Sequence, residues 1–242
     1  MIRVCSGWSP KGRTLYGQNF LASFDKNWSP SIDLKVYVEE SHQMPRDACR
    51  LLWDIPGARE FMDRHKDDQF LSGRKKRPES RWKATQIQAG YSFRFDAMKF
   101  FKQIIIPDHA AQDMADGDIL IWLDGDVVTT KPVTEEAIFK IIRDAEICYL
   151  GRERSHSEIG FYAVRLNAKT RAFLKFIADM YRTDAFLDLE EHHSAFIHDY
   201  GRKQADMLER NLTPGGRGHV WERSPLAAWS LHLKGKRKGI EK

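Results

Sequence analysis

Two aspartates flank a glycine in the segment Ile119-Leu120-Ile121-Trp122-Leu123-Asp124-Gly125-Asp126-Val127-Val128. The five residues before Asp124 are continuously apolar, as in a central strand covered on both faces. Carboxylates two residues apart on extended chain project to the same side. Gly125 between them permits a sharp turn and close approach of a ligand. Hard carboxylate oxygens suit Mg²⁺ or Mn²⁺. A cation held there can bridge two phosphates of a diphosphate and offset the charge that gathers on it as a leaving group. A second element stands near the other end of the sequence, Leu231-His232-Leu233-Lys234-Gly235-Lys236-Arg237. A neutral imidazole beside two carboxylates suits Mn²⁺. Lys234, Lys236 and Arg237 can neutralise phosphate oxygens, and Gly235 allows backbone approach. Each signal is common by itself: Asp-x-Asp triplets occur at many strand ends, and a basic tail can carry an incidental histidine. Together they predict a metal set of Asp124, Asp126 and His232, and a ligand-binding set that includes Asp124, Lys234, Gly235 and Lys236.

Leu189-Glu190-Glu191-His192-His193-Ser194 concentrates further titratable groups at a helix start. Glu191, His192 and His193 all stay open as the base that takes a proton from an acceptor hydroxyl, and the same run also reads as a surface patch. Glu191 and His193 are the catalytic candidates retained. Asp113, Asp116 and Asp118 read as a solvated loop and cap. There is no Walker-type phosphate loop and no Gly-x-Gly-x-x-Gly after the first strand. Cys5, Cys49 and Cys148 are odd in number and far apart, which argues for buried free thiols rather than disulfides or zinc.

These residues need elements to hold them. The 242 residues, 42% hydrophobic and 30% charged, suit one folded α/β domain spanning 1–242. Residues 1–6 and Leu34–Val38 read as strands, and Leu15–Asn27 and 57–66 as helices. Trp82–Gln103 reads as a long helix with Phe93, Ala97, Phe100 and Phe101 on one face, ended by Ile104-Ile105-Ile106-Pro107. Thr134 caps a helix to Asp144. Ile147–Leu150 and Phe161–Leu166 read as strands, and Lys169–Arg182 as a helix. Strand and helix alternate, which is the pattern of an open, mostly parallel sheet with ligands at the carboxyl ends of its strands. Thr213-Pro214-Gly215-Gly216-Arg217-Gly218 reads as a flexible loop placed to cover an acceptor. No apolar run reaches the ~20 residues of a membrane span, and the first residues lack the pattern of a signal peptide, so a cytoplasmic location is expected. The net charge of +5 gathers at Arg74-Lys75-Lys76-Arg77 and Lys234–Lys238. It suits nucleotide diphosphates and equally permits nucleic acid or anionic lipid.

The Asp124-Gly125-Asp126 segment resembles the Asp-x-Asp motif of GT-A glycosyltransferases. Three other segments agree. Arg94-Phe95-Asp96-Ala97-Met98-Lys99-Phe100 is similar to the helix beneath the sugar-nucleotide site. Glu158-Ile159-Gly160-Phe161-Tyr162-Ala163-Val164-Arg165-Leu166-Asn167 is similar to the strand behind the donor sugar, which ends at Asn. Leu231–Lys236 resembles the His-x-x-Gly-x-Lys element of glycogenin-like enzymes. The resemblance implies a GT-A, Rossmann-like fold with a mixed, mostly parallel sheet flanked by helices. It implies a nucleotide-sugar donor, a UDP-sugar foremost, with Mn²⁺ or Mg²⁺. His232 would be the third protein ligand and Lys236 would touch the diphosphate. Gly7, with Trp8 and Ser9, would line the nucleobase pocket. Where many such enzymes carry an acid facing the acceptor or the reacting sugar, this sequence has His193 with Glu190 and Glu191 beside it, which leaves the base and the stereochemical course open. The acceptor would be a glycan or a modified base in DNA, the latter motivated by the basic run 74–77. A nucleotidyltransferase on a related sheet and a nucleic-acid-binding protein are the competing readings.

Overall fold

The Ile119–Leu123 run forms the strand β4, with all five residues buried. Its odd and even residues face different cores, as the period of two requires. Leu120 and Trp122 enter one core, while Ile119, Ile121 and Leu123 enter the other. Full burial of side chains of this size contributes roughly 1.5–3 kcal/mol each, so β4 is a principal source of stability as well as a mount for Asp124. The computed structural model describes residues 1–43, 47–74, 90–213 and 215–233.

The strands are β1 (Ile2–Trp8), β2 (Ile32–Val38), β3 (Cys49–Leu51), β4, β5 (Val127–Thr129), β6 (Ile147–Leu150), β7 (Glu158–Arg165), β8 (Glu209–Asn211) and β9 (Ser230–His232). The helices are α1 (Pro10–Gly12), α2 (Gln18–Asn27), α3 (Ala58–His65), α4 (Ala97–Phe100), α5 (Lys102–Ala110), α6 (Glu135–Ile142), α7 (Ala168–Arg182), α8 (Ser194–Gln204) and α9 (Val220–Arg223). Seven strands form one sheet in the order β3-β2-β1-β4-β7-β6-β8. β1 pairs in parallel with β2 and β4, β2 with β3, and β6 with β8; β7 is antiparallel to both β4 and β6. Helices α3, α5, α7 and α8 supply residues to one core, and α2, α6 and α9 to the other. The fold is thus α/β, with a mixed, mostly parallel sheet between helices. The carboxyl ends of the adjacent strands β1 and β4 open on the same side.

Local chemistry explains the helix ends. Thr134 accepts from the Ala137 backbone N–H and caps α6, as its sequence predicts. Asn167 and Thr170 form a reciprocal capping box on α7. The prediction of one helix over Trp82–Gln103 fails within its described part. Phe93–Phe95 is a 3₁₀ turn, Asp96 caps the short α4 through the Lys99 N–H, and α5 begins afresh at Lys102. Phe93 is 52% exposed rather than part of a buried stripe. The run Ile104–Pro107 does not end the helix but lies inside α5, with all four residues buried. Pro107 has no N–H to offer the Gln103 carbonyl one turn earlier; the Tyr162 hydroxyl donates to that carbonyl instead, at 3.4 Å. The three cysteines are free and buried. Asp113, Asp116 and Asp118 are ion-paired rather than merely solvated: Asp113 with Arg3 and Lys35, Asp116 with Arg171, and Asp118 with the N-terminal amine. No described helix is long and apolar enough to cross a membrane.

Candidate active site

A cleft of about 900 Å³ lies over the carboxyl ends of β1 and β4. Gly7, Asp124, Asp126, Glu191, His193 and His232 all line it. Lys234, Gly235 and Lys236 fall outside the described residues, as do Lys75, Lys76 and Arg77 of the basic run. Thr213 and Gly215–Gly218 do not line the cleft; the Thr213 hydroxyl donates to the Gly151 carbonyl instead.

Backbone pairing brings the two ends of the predicted metal set together. Asp124 leaves β4 and receives the Val127 N–H on its carbonyl, closing a turn into β5. β5 pairs antiparallel with β9, setting Val127 opposite His232, and the Leu233 N–H donates to the Asp126 carbonyl. The imidazole therefore stands beside the aspartates: His232 Nε2 is 3.0 Å from Asp126 Oδ1 and 3.9 Å from Asp124 Oδ2. The Trp221 ring packs on the imidazole at 4.8 Å. Gly125 lies in the tight turn expected of it, closed by that Val127–Asp124 hydrogen bond, without a left-handed backbone. It is small because Trp8 crowds it, with a ring carbon 2.8 Å from where a Cβ would stand.

Asp124 is held in one orientation. Gln103 Nε2 donates to Oδ1 at 2.7 Å, and Trp122 Nε1 donates to the same oxygen at 3.0 Å. The Ser194 hydroxyl donates to Gln103 Oε1 at 2.5 Å, which fixes the amide. Two donors thus occupy Oδ1, while Oδ2 faces His232. Burial, then the neighbouring Asp126 charge, pushes Asp124 up to about 6, although His232 partly offsets this. Burial first, and Asp126 and Asp124 after it, push Tyr16 up to about 12. The field in this part of the cleft is negative. Oriented carboxylates, an imidazole and a negative field fit a divalent cation. The buried His232 Nδ1 has no hydrogen-bond partner among the described residues.

Farther along the cleft, Glu191 is gripped from both sides. Its Oε1 meets Arg94 at 3.2 Å, and its Oε2 meets His193 at 2.7 Å and His156 at 3.5 Å. Burial would raise Glu191, but these three partners hold it below the ordinary carboxylate value. Burial lowers His193 despite the Glu191 charge. An ionised carboxylate beside a neutral imidazole results, at the N-terminus of α8 where His193 is the cap residue. Asp199, one turn into α8, accepts from the Ser157 N–H and anchors the 152–157 loop.

Sequence reasoning missed Gln103, His156, Glu158 and Asp199. Gln103 sits in an apolar helix, and His156 and Asp199 fall in polar stretches whose spacing matches no motif. Glu158 begins the strand expected to act through its far end. β7 runs away from the cleft, so Asn167 caps α7 and Glu158 is the end that lines the site.

No family model and no curated protein matches this chain. Solved glycosyltransferases superpose on it over most of its length. A glycosyltransferase involved in the glycosylation of the major capsid of PBCV-1 is 11% identical, with a TM-score of 0.48, over 98% of this chain and 96% of that one. An active-site mutant of LgtC is 10% identical, with a TM-score of 0.48, over 93% and 83%. Mouse xyloside xylosyltransferase 1 is 9% identical, with a TM-score of 0.46, over 87% and 84%. At such identities and scores the likeness assigns no chemistry to this chain.

Proposed function

We propose that this protein is a metal-dependent glycosyltransferase that moves a sugar from a nucleoside diphosphate sugar, a UDP-sugar foremost, to a hydroxyl-bearing acceptor. The observation that carries the reading is the meeting of Asp124, Asp126 and His232 at the carboxyl ends of β1 and β4. Composition and elements alone do not require it.

In this reading Asp124 Oδ2, Asp126 and His232 hold Mn²⁺ or Mg²⁺. When bound, that ion supplies charge stabilisation for the departing nucleoside diphosphate. Gln103 and Trp122 keep Asp124 aimed, so no reorientation is needed as charge develops. Gly7 and Trp8 line the end of the cleft assigned to the nucleobase. Glu191 and His193 face the acceptor. His193, neutral and seated against Glu191, is the better proton acceptor of the two. Glu191 stays ionised, and it is suited to orienting the imidazole and countering positive charge on the reacting sugar. A nucleotidyltransferase fits less well. Ser9 caps α1 directly after β1, and the chain continues helical to Asn27, which leaves no open phosphate loop there.

Replacement of Asp126 by Ala tests the reading. The variant is expected to melt as a folded protein and to lose metal-dependent hydrolysis of UDP-sugars by at least about a hundredfold, on the scale of lost transition-state charge stabilisation. Wild-type turnover by D126A, or pyrophosphate release from a triphosphate by the native chain, would overturn it.

A further inference from the structure

Glu158 opens β7 at the cleft and is 8% exposed. A carboxylate oxygen of Glu158, one of Asp124 and a ring nitrogen of His232 all lie within 4.8 Å of one another. Asp126 stands 3.0 Å from the same imidazole. Three carboxylates therefore converge on one histidine, largely out of water. Arg152 holds Glu158 Oε2. Like charges this close and this shielded repel strongly. A divalent ion among these oxygens would relieve that repulsion. β7 also makes room between the two groups. At Gly160 a Cβ would stand 2.6 Å from His232 Cε1 and 3.4 Å from Glu158 Oε1, so no side chain separates them.

We propose, resting on the metal-dependent reading above, that Glu158 is a fourth protein group of the cation cage and that Arg152 takes the cation's place on it in the metal-free protein. Arg152 then competes with the ion for Glu158. Once displaced, it is free to meet a phosphate oxygen of the sugar donor, for which a guanidinium is well shaped.

The two partners give opposite signatures in metal binding, read by the paramagnetic signal of free Mn²⁺ with no nucleotide present. Glu158→Gln keeps the shape and removes the charge, and is expected to weaken Mn²⁺ binding by about tenfold or more. Arg152→Ala is expected to tighten Mn²⁺ binding several-fold while weakening UDP binding in saturating Mn²⁺. A purely structural role for the pair would weaken both variants alike. Asp126→Ala serves as the reference for loss of the cage. If E158Q binds Mn²⁺ as the wild type does while D126A does not, the inference falls and the metal reading stands. If the wild-type chain binds no Mn²⁺ at millimolar concentration, both fall. Should E158Q fail to fold, R152A decides alone: unchanged or weaker Mn²⁺ binding overturns the proposal.

Discussion

At the scale of single residues, the site is prepared by neighbours that do no chemistry themselves. Asp124 has one oxygen pinned by Gln103 and Trp122 and the other turned to His232. The cost is an ionised carboxylate in a buried, negative setting. Its folded value of about 6 lies above the 3.8 of an ordinary aspartate. The stability that its proton provides is therefore complete below about pH 4 and lost as pH rises through 6. Asp124→Asn keeps an oxygen for both donors and removes the charge. In the metal-free protein it should raise stability by roughly 1–3 kcal/mol at pH 8 and change nothing at pH 4, measured by denaturant unfolding at the two pH values. The aspartates were legible in the sequence because an apolar strand points at them. Gln103 was not, because an amide within a helix becomes chemical only through what tertiary packing sets against it.

At the scale of elements, the short strands did the work that the sequence concealed. β5 and β9 have three residues each. That is too few to show an alternation, yet their register places His232 beside Asp126. Within the described residues 90–103, the helical prediction failed for a related reason. Its aromatic spacing suits a helix, but the Asp96 cap and the Phe93–Phe95 turn redirect the chain so that Arg94 reaches Glu191 and the Arg94 carbonyl accepts from His192. β7 and β9 also meet at a tight point. Gly160→Ala would drive a methyl group into the His232 ring, whereas an alanine is otherwise well tolerated in a buried strand. The expected result is a loss of about 1–3 kcal/mol from overpacking, together with Mn²⁺ binding weakened by at least about tenfold. Calorimetric titration with Mn²⁺ and a parallel melt measure the two effects separately.

For the whole molecule, the alternation of strands and helices was enough to read an α/β sheet, and the cleft lies at its strand ends. The reversal of β7 and the addition of β8 beyond β6 were not readable, because strand order depends on which buried surfaces meet and not on local pattern. A ligand that binds only the folded chain should stabilise all of it. At a hundred times its dissociation constant the gain is about 2.7 kcal/mol, which for a chain of this size is a rise of about 5–11 °C in melting temperature. Mn²⁺ with UDP is expected to produce such a rise in the wild type and none in D126A; thermal melts with and without the pair check it.

The pairing of β5 with β9 has a consequence for how firmly β9 is held. Asp126 and His232 come from distant stretches of sequence and meet through the two-stranded β5-β9 sheet, which is separate from the seven-stranded one. An ion seated between them would act as a clasp on β9, which among the described residues pairs with β5 alone. Amide exchange in Ser230–His232 should therefore slow on adding Mn²⁺, far more than in β1, which is already locked between two neighbours.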